Sequence, residues 1–170
     1  DIVLVAGRQV DEDATSVYSK RSGMLSKKSS EEVKSESSDI AIGSSFSGGT
    51  VVMQADRDIA IQGSSVNAQD LLLLDAGHDV AITSEQNTES GSYFNETKKS
   101  GFSASLMSGI SYGKSHQNAD QSYSAQTQAG SSVGGADVTI QSGRDTVVRS
   151  SAVIADQDLT VIAGRDARIE

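Results

Sequence analysis

Residues 55–82 read ADRDIAIQGSSVNAQDLLLLDAGHDVAI, and residues 142–169 return to the same pattern as SGRDTVVRSSAVIADQDLTVIAGRDARI. A shift of 87 positions lays Arg57 on Arg144, and within each copy an Arg-Asp or His-Asp pair recurs after 21 positions. A third echo, Asp39-Ile-Ala-Ile, precedes its counterpart in the first copy by 19 positions. A period near 20 with short apolar runs is typical of a solenoid, in which each repeat buries its apolar face only against its neighbours.

Each period begins with a polar turn and continues with short alternating runs, such as Ile59-Ala60-Ile61 and Val80-Ala81-Ile82. Alternation with period two is the pattern of a β-strand, and these turns contain no apolar pattern of period 3.6. The sequence therefore predicts an all-β fold, a right-handed parallel β-helix (a solenoid) with two long inserted loops or hairpins. The chain contains no proline, which fits because proline lacks the N–H that a sheet ladder requires.

The chain of 170 residues is expected to form one β-helical repeat fragment with insertions at about residues 9–38 and 84–128, where the period is lost. Residues 2–7 align with residues 72–77, so we expect them to be the last strand of a coil whose beginning is missing. Both ends would then be open rungs of a longer solenoid. The regular part is expected to point these side chains inward: Ile40, Ile42, Val51, Met53, Ile59, Ile61, Val66, Ala68, Leu72, Leu74, Val80 and Ile82.

The polar turns recur at one corner of every predicted coil, which would stack their Asp and Arg side chains in columns. Like charges in adjacent strands repel each other, so alternating Asp and Arg favour hydrogen bonds and ion pairs over a cation site or a catalytic site. We therefore interpret these residues as structural corners: Arg57, Asp58, Gly77, His78, Asp79, Arg144, Asp145, Gly164, Arg165 and Asp166.

The second insertion contains apolar residues that alternate on either side of Ser108-Gly109, which predicts a β-hairpin with one apolar face. We expect the hairpins to fold back over the outward apolar stripe of the coils. A partner protein or a neighbouring copy is the alternative cover for that stripe. The candidate partner-binding residues are Phe102, Leu106, Ile110 and Tyr112.

The chain carries a net charge of −9 and has no cysteine. An acidic protein is a poor ligand for nucleic acid or for anionic membrane surfaces, so neither is expected to be its main partner. Without cysteine there is neither a disulfide framework nor a thiolate site, and the two histidines lack the patterned ligands of a metal site. We expect no cofactor, no metal and no enzymatic activity.

Several motifs together resemble a known family. They are Ala76-Gly77-His78-Asp79, Ala163-Gly164-Arg165-Asp166, Ser142-Gly143-Arg144-Asp145, the corner Gly63-Ser64-Ser65-Val66-Asn67-Ala68, and the paired insertions, in which Lys20-Arg21-Ser22-Gly23 matches Lys98-Lys99-Ser100-Gly101. This set is similar to the haemagglutinin repeats of filamentous haemagglutinin, which also occur in the large effectors of contact-dependent growth inhibition.

The resemblance implies a secreted protein of the Gram-negative cell surface, exported by an outer-membrane two-partner secretion transporter. Its repeats would form a rod that serves adhesion and virulence, displaying binding loops to a target-cell protein, glycan or outer membrane, or helping to deliver a C-terminal toxin. The alternative is a β-helical polysaccharide-binding or polysaccharide-degrading module. A glycosidase of that kind would need two carboxylates facing a sugar.

Overall fold

A computed structural model describes residues 1–105 and 109–170, and every regular element in them is a β-strand. The fold is therefore all-β, as the alternation predicted. The strands are β1 (Ile2–Val5), β2 (Gly7–Ser22), β3 (Ser26–Ile42), β4 (Ser45–Gly48), β5 (Val51–Ala55), β6 (Ile59–Gln62), β7 (Ser65–Ala68), β8 (Leu71–Ala76), β9 (Val80–Thr83), β10 (Glu85–Ser105), β11 (Gly109–Ala129), β12 (Ser132–Ser142), β13 (Thr146–Arg149), β14 (Ala152–Ala163) and β15 (Ala167–Ile169).

The chain divides into two compact units. The stacked unit contains Asp1–Gln9, Asp39–Asn87 and Gln126–Glu170, and the ribbon unit contains Val10–Ser38 and Thr88–Ala125. The prediction of one repeat fragment with insertions at about residues 9–38 and 84–128 stays a prediction.

The stacked unit contains two sheets of parallel strands. One has the order β1-β6-β9-β13-β15, and in it Ile2 pairs with Ile59, Ile59 with Val80, Val80 with Thr146, and Thr146 with Ala167. The other has the order β4-β7-β12-β8-β5, with β14 also paired to β12. The strands visit the two sheets alternately: β6 of the first is followed by β7 and β8 of the second, and β9 returns to the first.

The core of the stacked unit lies on the inward side of these short strands. Along β5, β6, β8 and β9 the buried residues alternate with less buried ones, because successive side chains of a strand point to opposite faces. Of the side chains predicted to point inward, nine are buried: Val51, Met53, Ile59, Ile61, Val66, Leu72, Leu74, Val80 and Ile82. Strands β12 and β13 contribute Val133, Val138, Ile140 and Val148 to the same cluster.

Two register predictions were wrong. Residues 2–5 do not match residues 72–75, because β1 pairs with β6 and therefore corresponds to the strand that follows each polar turn. The run Ile2-Val3-Leu4-Val5 is apolar on both faces, which made it look like Leu71–Leu74. The second wrong prediction placed Ile40 and Ile42 on a short strand with their side chains inward. Both residues lie at the end of the long strand β3, and Ile42 is 53% exposed.

The ribbon unit is a four-stranded sheet in the order β11-β10-β3-β2. Its β2–β3 pair is antiparallel, because Gly23 N–H donates to Ser26 C=O at 2.8 Å and the hydroxyls of Ser19 and Ser30 lie 3.0 Å apart. All sixteen residues of β2 are exposed. Within the described residues, no helix is long and apolar enough to span a membrane.

Glycines at the polar corner of successive repeats lie very close to one another. A Cβ on Gly143 would overlap the carbonyl oxygen of Gly77, and a Cβ on Gly164 would overlap that of Gly143. We expect Gly143→Ala to lower the free energy of unfolding by about 3 kcal/mol, because two backbones must separate. Chemical denaturation measures the loss.

Gly49→Ala is the matched control, since nothing lies within 4 Å of a Cβ at Gly49. It should leave stability unchanged or raise it by up to about 1 kcal/mol. Equal losses in the two variants would contradict close stacking at Gly143.

Candidate functional site

The predicted corner residues form a continuous ladder in the stacked unit. Each cation reaches back to the aspartate of the preceding rung: Arg144 Nη2 lies 2.6 Å from Asp79 Oδ2, and Arg165 Nη2 lies 2.5 Å from Asp145 Oδ2. The same step joins Arg57 to Asp1 at 3.3 Å and His78 to Asp58 at 4.0 Å.

The carboxylates of this ladder also accept backbone N–H groups. Asp79 Oδ1 accepts from the N–H of Asp145 at 3.1 Å, and Asp145 Oδ1 accepts from that of Asp166 at 3.3 Å. Asp58 accepts the N–H of Asp79 in the same way at 3.3 Å. One carboxylate therefore binds the backbone and, at most rungs, the side chain of the next rung.

Electrostatics at the ladder follow from these contacts. The hydrogen bonds from the Arg165 guanidinium lower the pKa of Asp145 below its ordinary value of 3.8, and they raise the pKa of Arg165. The carboxylate is held ionised and paired, which is a structural arrangement and a poor one for a general acid. In the parts of the chain that are described, no group of three His, Cys, Asp or Glu residues could hold a metal ion.

A second column, made of serines, was missed by the sequence analysis. The Ser64 N–H donates to Ser131 Oγ at 3.2 Å, the Ser131 N–H donates to Ser151 Oγ at 3.1 Å, and the Ser44 N–H donates to Ser64 Oγ at 3.3 Å. Ser131 Oγ also lies 2.7 Å from the carbonyl oxygen of Thr83. The match of Ser64 to Ser151 was visible in the sequence, but 67 positions separate Ser64 from Ser131 and hid the column.

Arg8 joins three segments of the stacked unit. Its guanidinium lies 2.7 Å from Asp39 Oδ2 and 2.8 Å from Glu85 Oε1, and it donates to the carbonyl oxygen of Gln86 at 2.8 Å. The hydrogen bond from Arg8 lowers the pKa of Asp39. These contacts hold together the points where β2 begins, β3 nears its end and β10 begins.

The ribbon unit has charges that are segregated along its strands. Residues 19–30 and 97–115, which we call the basic end, contain seven cations and no Asp or Glu. The rest of the ribbon unit contains nine Asp and Glu residues and one cation, Lys34. The turn between β2 and β3 adjoins β10 at the basic end, because the Phe102 N–H donates to Leu25 C=O at 2.9 Å. The seven cations are Lys20, Arg21, Lys27, Lys28, Lys98, Lys99 and Lys114.

A shallow groove of about 430 Å³ lies among six of these lysines. Opposite charges are sparse beside it. Glu96 binds Lys98 at 2.6 Å and His116 at 2.8 Å, and the hydrogen bond from Lys98, followed by that from His116, lowers the pKa of Glu96. The remaining lysines give the groove a positive field.

Apolar side chains are exposed at the same end. The rings of Phe102 and Tyr112 lie 4.9 Å apart, and Lys114 Nζ lies 5.8 Å from the centre of the Tyr112 ring. Of the candidate partner-binding residues, Phe102, Ile110 and Tyr112 are 55%, 79% and 52% exposed, and Leu106 lies outside the described residues. Met24 and Leu25 in the first hairpin turn are exposed as well. This end of the sheet combines positive charge with exposed apolar area.

The opposite part of the ribbon unit is acidic. A second groove there is lined by Asp11, Glu12, Asp13, Glu36 and Glu89, with Ser37, Ser38 and Tyr123. Lys34, the one cation of this part, lies 2.8 Å from Glu36. The net charge of −9 therefore conceals a strongly polarised sheet.

Comparison with known proteins agrees with the repeat pattern. The family described as hemagglutinin repeat matches residues 22–170. The 16S rRNA endonuclease CdiA of Enterobacter cloacae is 33% identical over 71% of this chain and 4% of its own length. A tRNA nuclease CdiA of Escherichia coli is 30% identical over 71% of this chain and 4% of its own length. The chain thus spans about 4% of the length of these curated relatives.

Removing the Ser131 hydroxyl should expose its role in the serine column. Ser131 is 2% exposed, so Ser131→Ala leaves the Ser64 N–H without its acceptor and without access to water. We expect a loss of about 1–3 kcal/mol in the free energy of unfolding. Ser151→Ala, at a less buried place in the same column, should cost about 1 kcal/mol or less. The reverse order in a denaturation series would contradict this account.

The Asp145–Arg165 pair predicts a pH dependence. Because the folded-state pKa of Asp145 is lowered, its stabilising contribution is present above the unfolded-state pKa and is lost as pH falls through the folded-state value. The difference in unfolding free energy between the original chain and Arg165→Gln should therefore shrink as the pH falls below about 4.

Asp145→Asn is the control background for this measurement. In it, Arg165→Gln should have an effect that does not change between neutral and acidic pH, since no carboxylate remains to titrate. A pH trend that persists in the Asp145→Asn background would assign the effect to another group.

Proposed function

The chain belongs to the haemagglutinin-repeat family, and from that premise we propose that it is a rod segment that displays a surface-binding ribbon. It is a segment of a two-partner-secretion protein of the contact-dependent growth inhibition type. Such proteins are secreted to the cell surface of Gram-negative bacteria. We propose in addition that the rod binds the surface of the target cell and helps to deliver a toxin.

The stacked unit serves, in this proposal, as a right-handed parallel β-helix. Three observations support it: the two sheets are parallel, the chain visits them alternately, and Ile59 pairs with Val80 at a distance of 21 positions along the chain. A connection between parallel strands of one sheet is right-handed in about 98% of cases. Stacked coils add length without a new core, which suits a rod.

Export through an outer-membrane two-partner secretion transporter is part of the same proposal. Each coil of the stacked unit bonds to the coils beside it, so folding can proceed rung by rung as the chain emerges. These 170 residues contain no cysteine, so no disulfide within them can form before export.

The basic end of the ribbon unit is the proposed contact with the target-cell surface. This proposal revises the expectation from net charge, which had spoken against an anionic surface as the main partner. The concentration of seven cations at this end, where Glu96 pairs with Lys98, carries this proposal. Outer surfaces of Gram-negative cells are anionic, and a Lys or Arg near an anionic lipid surface contributes about 1 kcal/mol to binding. Exposed Phe102, Ile110 and Tyr112 would add apolar contact at the same place, as in interfacial segments that combine basic and aromatic residues.

We infer a binding and delivery role for this segment, without catalysis. The repeated acids of the stacked unit are held by guanidinium and backbone N–H groups of the next rung, which suits a structural column. The relatives are called 16S rRNA endonuclease and tRNA nuclease, and those words describe the relatives. Those names suggest that the parent protein of this chain also carries a toxin outside these residues, and we include that in the proposal.

Matched charge reversals on β3 test the surface contact. Lys28 is in the basic end and Lys34 is in the acidic part of the same strand, six positions apart. Lys28→Glu should weaken binding of the labelled chain to vesicles that contain anionic lipid by about tenfold, because it removes an attraction and adds a repulsion. Lys34→Glu makes the same change in net charge and should have little effect.

Binding should also fall with added salt, and vesicles of neutral lipid alone should bind weakly. The same two variants applied to Gram-negative cells show whether the vesicle result extends to a bacterial surface. Equal binding of the two variants, or binding that salt does not weaken, would refute the basic end as the contact.

A further inference from the structure

The outer edge of the ribbon sheet is formed by β2, which pairs only with β3 among the described strands. Every residue of β2 is exposed. An edge of this length presents a row of free backbone N–H and C=O groups and is a template for pairing with another strand. Native proteins usually protect such edges from pairing with unwanted strands. The residues of β2 therefore indicate which strand could pair with this edge.

The direction of the free groups follows from the hairpin turn. Gly23 N–H donates to Ser26 C=O, which makes this the last hydrogen-bonded pair before the turn Met24-Leu25. In an antiparallel pair the hydrogen-bonded residues alternate, so the odd-numbered residues of β2 direct their backbone toward β3. The even-numbered ones, Ser16 among them, direct theirs outward.

The charges of β2 form two blocks of opposite sign. Asp11, Glu12 and Asp13 are near its beginning, Lys20 and Arg21 are near its end, and residues 14–19 are uncharged. When a second β2 runs antiparallel and is centred on Ser16, Glu12 faces the partner's Lys20, and Asp11 faces the partner's Arg21. Twofold symmetry repeats each of these pairs. A parallel arrangement in register would instead oppose like charges, which destabilises a strand pair.

The uncharged middle of β2 suits the same arrangement. Around Ser16 the register places Thr15 opposite the partner's Val17 and Ala14 opposite the partner's Tyr18. β-branched and aromatic residues are favoured in strands and stabilise cross-strand pairs. Val17 and Tyr18 are 55% and 64% exposed in the single chain, so pairing would cover apolar area that now faces water.

We propose that two copies of this chain associate through antiparallel pairing of their β2 edges, centred on Ser16, to form one continuous eight-stranded sheet. The association is isologous, so it closes at two copies. The strand that pairs with this edge is β2 of a second copy, because the order of charges along β2 is complementary to its own reverse. The two proposals share Lys20 and Arg21 of the basic end, but Lys28 on β3 belongs to the surface contact alone, so its variant separates them.

Sedimentation velocity over a concentration series at low ionic strength measures the association. The original chain should show a monomer–dimer equilibrium that weakens as salt is added. Glu12→Lys and Lys20→Glu should each raise the dimer dissociation constant about tenfold, because each creates two like-charged pairs across the twofold axis. The double variant Glu12→Lys/Lys20→Glu restores both opposite-charge pairs and should recover most of the original dissociation constant.

Ser16→Pro is the backbone variant. It removes an N–H that points away from β3, and proline is tolerated on such an edge. It should abolish the dimer while the circular dichroism spectrum stays that of the original chain. Lys28→Glu, which lies on β3, should leave the dimer intact even if surface binding is lost.

Three results would overturn the proposal. One is a monomer at all concentrations. Another is a dimer that persists in Ser16→Pro, which would assign the contact to the β11 edge or to a sheet face. The last is a double charge variant that dimerises no better than either single one. The charge series decides the question even if Ser16→Pro disturbs the fold.

Discussion

Hydrogen bonding between neighbouring parallel strands is the interaction on which the stacked unit depends. Such a strand does not pair with the strands directly before and after it in the sequence, so its backbone groups must be satisfied by strands of other repeats. The ladder register, Ile59 on Val80 and Val80 on Thr146, fixes the spacing of everything else. Once that spacing is set, a polar side chain at a corner meets the same corner one rung away.

The corner side chains extend this dependence beyond the backbone. Asp79 accepts from the N–H of Asp145 and from the guanidinium of Arg144. One carboxylate therefore holds the polar turn of the neighbouring repeat. Ser131 does the same inside the unit, where a carboxylate would be costly to bury. The glycines that precede the ladder residues let the polar turns approach each other closely, as at Gly143 and Gly77.

Sequence alone predicted the parts of this fold that repeat. The alternation in β6 and β9 identified the buried side chains, because burial on one face of a strand leaves a period of two in the residue types. The corner residues were interpreted as structural for a different reason, because Asp and Arg recur at one position of the repeat. Isolated stretches were harder: Ile2–Val5 and Ile40–Ile42 each match the repeat locally, and only strand pairing shows that β1 occupies the rung and residues 40–42 do not.

The ribbon unit was the least predictable part, since its long strands have few buried positions. β2 is exposed along its whole length, so it has no alternating burial to impose alternating residue types. Its order comes from charge instead. The clustering of lysines was visible in the sequence, but the net charge of −9 does not show it, because that number sums over the whole chain.

The division of cations between the two units has a physical reason. All seven lysines are in the ribbon unit, and six of the seven arginines are in the stacked unit. Arginine has a planar fork that can hold a carboxylate with two bonds, as Arg165 holds Asp145. Lysine is a strongly hydrated point charge on a flexible chain. A ladder with fixed spacing favours the fork, because its donors must meet one carboxylate at one distance. A surface that meets many anionic groups in variable positions has no such requirement, and lysine supplies the charge there without fixing the geometry.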